Sequence, residues 1–195
     1  MRHIYLVITS LLAVFSFQAH AAFYVAPQVG FTAGGSVENQ EGTEYDIEAS
    51  ESYAIALETD FDKGRIGLFY ATQSSKVETL NTKSSMHYLQ FQSSIYYPIQ
   101  QNVSTFLGIG LGGSYADVEW ASDKYGFSAS IFGGVEYQVS ESVFLTSQVR
   151  WLGTVVDNET TGICNLPSST EQCIIRFKTD WMNQFSANLG LNFKF

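Results

Sequence analysis

The sequence predicts an all-β protein, a closed eight-stranded antiparallel up-and-down barrel that crosses a membrane. Three observations lead there. Eight stretches alternate apolar and polar residues with a period of two. The connections between them are short and long in strict turn. Only 15% of residues are charged although 45% are hydrophobic, whereas a soluble surface carries about 25% charged residues.

Taken in order, the chain opens on MRHIYLVITSLLAVFSFQAHA, with Arg2 and His3 ahead of an apolar run from Ile4 to Phe17 and small residues Ala19 and Ala21 at a cut site. That pattern is a secretory signal, 1–21, and the run is too short to span a bilayer. The barrel domain is then 22–195. It contains no run of about 18 apolar residues, so no helix of it is expected to cross a membrane. The net charge of -9 argues against nucleic acid as a partner, because no basic groove can form.

Alternating stretches follow at 23–34, 51–61, 64–75, 85–98, 103–117, 125–139, 142–156 and 180–195. Each meets or exceeds the roughly 9 to 11 residues a tilted strand needs to cross a bilayer. In order along the chain, one face carries Val25, Val29 and Phe31; Tyr53, Ile55 and Leu57; Ile66, Leu68 and Tyr70; Leu89, Phe91 and Ile95; Leu107, Ile109 and Leu111; Phe127, Ile131 and Val135; Leu145, Val149 and Trp151. The other face carries Gln28, Glu58, Arg65, Gln90, Gln92, Ser94, Ser128, Ser130, Glu136, Thr146, Gln148, Arg150 and Gln184. In WMNQFSANLGLNFKF the odd positions from Phe185 onward read Phe, Ala, Leu, Leu, Phe, Phe.

DFDKG, PIQQN and VSESV are tight turns, whereas 35–50, 76–84, 118–124 and 157–179 are long and polar. In an up-and-down barrel this places short turns and both termini at one rim and four loops at the other.

Parity alone does not say which face looks inward, since a water-soluble barrel would bury the apolar one. The choice comes from other features. Tyr53, Tyr115, Tyr125 and Trp181 lie toward the long-loop rim, and Phe61, Tyr97, Tyr137, Phe193 and Phe195 toward the other, as two aromatic girdles would. The polar face is dominated by small or uncharged residues. A bilayer also tolerates no open sheet edge. The oily face therefore points to lipid.

An eight-stranded barrel is filled by its own side chains. Gly108, Gly110 and Gly112 make room for Tyr88, Tyr96, Phe106 or Arg150, and Glu58, Arg65, Glu136, Arg150 and Lys194 are expected to form an internal charge network that plugs the lumen.

In this layout the chain resembles the small outer-membrane barrels of Gram-negative bacteria, the OmpA/OmpX-like and opacity-type family. The resemblance covers the whole barrel region and rests on arrangement more than on motifs. It implies residence in the outer membrane, with contact to outer-membrane lipid and lipopolysaccharide. It also implies that Leu189, Leu191, Phe193 and Phe195 are similar to the terminal signal read by the barrel-assembly machinery. A structural role in membrane integrity, or adhesion-like contact with a surface ligand or host factor through the long loops, is the function such a resemblance suggests. A narrow channel or transporter for small or hydrophobic solutes is the alternative, and a lipid-modifying enzyme a third reading.

The remaining candidates lie in or near the loops. Glu38, Glu41, Glu44, Asp46, Glu48 and Glu51 form an acidic segment without one base. Hard cations favour such oxygens, but the spacing is not that of an EF-hand, and a solvated loop is the simpler reading. Cys164 and Cys173, in a loop exported to an oxidising compartment, are expected to form one disulfide. His87 with Ser85 is the only Ser and His pair within reach, on the lipid-facing side and without a third orienting group. No catalytic site, metal or cofactor is therefore expected.

Overall fold

A computed structural model describes residues 22–38, 44–46, 49–76, 83–117, 124–155, 176–177 and 181–195. The signal reading and Cys164 with Cys173 lie outside these residues. Eight strands form the closed wall: β1 (Phe23–Ala33), β4 (Ser50–Phe61), β5 (Gly64–Lys76), β6 (Lys83–Gln100), β7 (Val103–Asp117), β8 (Tyr125–Gln138), β9 (Val143–Val155) and β11 (Trp181–Lys194). Every neighbouring pair in the wall is antiparallel. The eight strands match the predicted segments to within a few residues at each end. Three further short strands, β2 (Ser36–Glu38), β3 (Glu44–Asp46) and β10 (Arg176–Phe177), form a separate sheet in the order β10-β2-β3. They fall in segments read as loops, because two or three residues are too few to show a period.

Each turn follows from local chemistry. Between β4 and β5, Phe61 pairs with Gly64 across two residues, and Asp62 takes the left-handed conformation (φ 52°) that a short polar side chain tolerates. At the end of β6, the register slips between Pro98 and Gln100, a bulge at a residue that cannot donate to the ladder. Beyond β8, the N–H groups of Val139 and Ser140 both donate to the Val143 carbonyl, at 2.9 and 3.0 Å.

The barrel closes where the ends of the chain meet. Phe195 N donates to Phe23 O at 2.8 Å, and Phe23 N donates to Phe195 O at 3.2 Å. The β1–β11 ladder runs from Tyr24↔Lys194 to Ala33↔Phe185 but skips Ala26 and Pro27. Proline has no N–H to give, and the closing seam is interrupted there.

Burial decides the orientation. Leu107 is 61% exposed and Val149 65%, while Gln90 is 0% and Arg150 1%. The Leu, Ile and Phe rows look outward, and the amide and hydroxyl rows fill the lumen together with Phe69, Tyr88, Phe106, Phe132 and Leu152. In water such an exterior would be untenable; in hydrocarbon it is required. Tyr53 and Tyr125 are exposed near the long-loop rim, and Phe61, Tyr97, Tyr137 and Phe195 near the other.

Ile109, exposed near the middle of β7, tests this orientation. The substitution Ile109→Lys should cost ~2 to 4 kcal/mol in urea titrations of the barrel folded into lipid vesicles, the cost of a cation near the bilayer midplane. An unchanged midpoint would mean that the face does not meet hydrocarbon.

Candidate functional site

The lumen holds the densest chemistry of the described residues, in two layers built around two arginines. Arg65 follows the β4–β5 turn at the start of β5, and Glu136 approaches the β8–β9 turn, so both side chains enter the lumen at the short-turn end. Their contact is bidentate: Arg65 Nη1 donates to Glu136 Oε2 at 2.9 Å, and Nη2 to Oε1 at 2.8 Å. Nη1 also donates to the Tyr96 hydroxyl at 2.8 Å. Arg65 Cζ lies 3.7 Å from the centre of the Tyr24 ring and 4.3 Å from that of Tyr96. Glu136 Oε2 accepts further from Asn192 Nδ2 at 3.0 Å and from Thr146 Oγ1 at 3.4 Å. A buried ion pair offsets its desolvation only when the geometry is good and its other lone pairs are used, and here both conditions hold.

The second layer repeats the device with neutral partners. Arg150 is held between Phe69, at 3.7 Å, and Phe132, at 4.0 Å from each ring centre. Its Nη1 donates to Ser130 Oγ at 2.8 Å and to Gln90 Oε1 at 3.3 Å, and its Nη2 to Gln92 Oε1 at 2.6 Å. Gln92 Nε2 in turn donates to Glu58 Oε1 at 2.8 Å, so one amide links guanidinium to carboxylate without direct contact. Gly110 supplies the clearance: a Cβ there would lie 2.7 Å from Ser130 Oγ and 2.8 Å from Gln90 Oε1. Gly108 likewise leaves room for the Phe132 ring. One buried cation thus meets an anion directly and the other is linked to an anion through an amide, and the layers obstruct the axis of the barrel. The arrangement is suited to closing the lumen.

Residues 7–195 match the outer membrane protein beta-barrel domain family. The chain belongs to that family. Among solved structures it is similar to Neisserial surface protein A, with a TM-score of 0.55 at 15% identity, covering 89% of this chain and 99% of that one. Outer membrane protein H of P. aeruginosa is matched with a TM-score of 0.49 at 18% identity, covering 87% of this chain and 99% of that one. At such identities the likeness speaks for the fold alone. A search of curated proteins finds no match. Family and architecture together place the protein in the outer membrane of a Gram-negative bacterium.

Within this family member, the predicted lumen residues divide. Glu58, Arg65, Glu136 and Arg150 are all buried in the lumen but form two clusters, Arg65 with Glu136 and Arg150 with Glu58 through Gln92. Lys194 does not join them. Its parity is right, but it is the last strand residue, exposed at the rim where its backbone N–H donates to Ser142 O at 2.9 Å. The aromatic sandwiches are the part that residue-by-residue reading missed. Their signal was present, since Phe69 and Phe132 are bulky apolar residues at positions whose neighbours on the same face are small or polar.

On the outer wall, His87 Nδ1 is 2.9 Å from the Tyr70 hydroxyl, and the His87 ring lies 6.2 Å from Tyr70 and 6.0 Å from Tyr115. The imidazole is therefore engaged by tyrosine and not by Ser85, which sits opposite Asp117 in the ladder. In the acidic segment, Glu38 faces Glu44 across β2 and β3 and faces Arg176 across β10. Glu51 accepts from the Tyr53 hydroxyl at 3.0 Å, and Glu41 and Glu48 lie outside the described residues. Of the terminal pattern, Leu189, Leu191 and Phe195 are exposed and Phe193 half-buried on the outer face.

Removing one partner of the Arg65–Glu136 pair leaves a buried charge uncompensated. Glu136→Ala is expected to cost ~3 to 5 kcal/mol in vesicle urea titrations, and the double variant Arg65→Met/Glu136→Leu to recover much of that loss. Equal midpoints for Glu136→Ala and the parent would show that the pair does not hold the lumen together.

Proposed function

We propose that this is a non-enzymatic outer-membrane barrel whose work is contact, made by its extracellular loops with a ligand on another surface, such as a host factor. The observation that carries this reading is the sheet β10-β2-β3. It joins the segment between β1 and β4 to the segment between β9 and β11, so the first and last long loops share one hydrogen-bonded unit. Binding residues are often carried on loops held by a rigid scaffold, and this tie holds two such loops in one frame. The obstructed lumen supports the same reading, because it leaves the loops as the part of the molecule that faces the exterior. A Neisserial surface protein has the same wall.

Other parts of the proposal concern assembly and loop stability. Leu189, Leu191, Phe193 and Phe195 supply the terminal pattern for the assembly machinery, and lipopolysaccharide surrounds the long-loop rim. Cys164 and Cys173 close a short disulfide loop that restricts the unfolded chain by about 2 to 3 kcal/mol in the entropy model. A thiol probe should then label the folded protein only after reduction; labelling of both cysteines without reductant would remove the bridge from the proposal.

The loop reading is tested by replacing 157–179 with a short turn and measuring attachment of expressing cells to host cells or to extracellular matrix. Attachment should fall to the level of cells lacking the protein, while heat-modifiable migration in SDS gels shows that the barrel still folds. Undiminished attachment by the loop-replaced barrel would overturn the reading. So would solute uptake by parent proteoliposomes in a swelling assay without any attachment, which would favour the narrow transporter.

A further inference from the structure

One sector of the outer wall changes character toward the long-loop rim. Along β5, β6 and β7 the exposed residues are first Leu68, Leu89, Phe91 and Leu111, as hydrocarbon requires. Four rings then form a continuous row, one from each strand of β5, β6, β7 and β8. They are Tyr70, His87, Tyr115 and Tyr125, with ring centres 6.2, 6.0 and 5.2 Å apart in turn. Rings with an apolar body and a polar tip settle where hydrocarbon gives way to headgroups, so this row marks that level.

The β5–β6 register carries the same outward face onward: Thr72 stands opposite His87, Ser74 opposite Ser85 and Lys76 opposite Lys83. Ser85 also stands opposite Asp117, which Lys124 Nζ meets only loosely, at 3.7 Å. For a strand rise of about 3.3 Å and a tilt of about 40°, the four steps from His87 to Lys83 climb about 10 Å along the membrane normal. That height belongs to the headgroups. The chain has a net charge of -9, yet three lysines gather here among hydroxyls. On β1, β4, β9 and β11 the outward positions nearest the same rim are Ala33, Glu51, Val155 and Trp181, without a base. Like charges directly opposite one another on one face of a ladder are destabilising by themselves. An anion bound between Lys76 and Lys83 turns that cost into attraction.

We propose that the outer face of β5, β6 and β7 is a binding site for one molecule of phosphorylated glycolipid from the outer leaflet. Its phosphate meets Lys76 and Lys83, its sugar lies at the level of Thr72, Ser74 and the tyrosine and histidine row, and its acyl chains run down the wall past Leu89 and Phe91. Each zone of the lipid finds its own chemistry in the right order along the membrane normal. A glycerophospholipid fits less well, because it offers no sugar ring to the hydroxyls and aromatic rings between the lysines and the apolar wall. The inference rests on the reading that lipopolysaccharide surrounds the long-loop rim, and adds the sector and the group that is recognised.

The test titrates the full barrel, folded in detergent micelles, with bisphosphorylated lipid A, with the same glycolipid stripped of its phosphates, or with phosphatidylglycerol, and counts bound lipid by native mass spectrometry. The parent should retain one lipid A at concentrations where the other two are lost. Lys76→Gln/Lys83→Gln should weaken that retention roughly 30-fold, the effect of two lysines at an anionic lipid surface. Lys76→Arg/Lys83→Arg should keep it, and so should Lys63→Gln in the turn at the opposite rim. Heat-modifiable migration reports folding of each variant, and if the glutamine pair does not fold, the parent's choice between phosphorylated and stripped glycolipid decides. Equal retention of the stripped glycolipid or of phosphatidylglycerol would overturn the site. Full retention by the glutamine pair would do the same, as when the lysines are engaged by Glu78, Glu119 or Asp123 of the connecting segments. A parent that binds none of the three lipids would remove the underlying lipopolysaccharide contact as well.

Discussion

Hydrocarbon offers no hydrogen bonds, and from that one constraint the rest of this structure follows. Every strand N–H and C=O within the bilayer must find another strand, so the sheet cannot end in an open edge. The reciprocal bonds between Phe23 and Phe195 meet that demand by joining the two ends of the wall. Closure with eight strands then sets a narrow lumen, which side chains must fill. The surface apolar rows and the polar interior are two results of the same condition.

A narrow lumen lined by amides, hydroxyls and charges creates its own problem, since buried polar groups need partners as surely as backbone groups do. Side chains meet most of that need among themselves. On the β5, β6 and β8 side, side chains bond one another around Arg65 and Arg150. Along β1, β9 and β11 they do so incompletely. The interrupted ladder at Pro27 lies on this second side, next to Gln28 and opposite the stretch that carries Asn192.

The wall was legible because a bilayer imposes the same rule on every strand. A period of two, repeated eight times, survives irregularities such as the Pro98 bulge, and the alternation of loop length adds an independent check on topology. Orientation was legible too, from charge scarcity and girdle placement. The lumen was only partly readable: Glu58, Arg65, Glu136 and Arg150 share a parity, but parity does not say who bonds whom, and it misplaced Lys194 because the last residue of a strand escapes the lumen. Pairing across β10, β2 and β3 was invisible, since it joins segments far apart in sequence through strands too short to have a pattern.

The choice of arginine at both layers completes the physical account. A planar guanidinium can lie against an aromatic face while donating in its own plane, so stacking and hydrogen bonding do not compete. Arg65 uses its edge for Glu136 and its faces for Tyr24 and Tyr96; Arg150 uses its edge for Gln90, Gln92 and Ser130 and its faces for Phe69 and Phe132. Lysine could supply the charge but not the flat body between two rings. Each arginine is thus both the packing and the polarity of its layer, which is how a lumen with few large apolar residues can be filled without leaving its charges stranded.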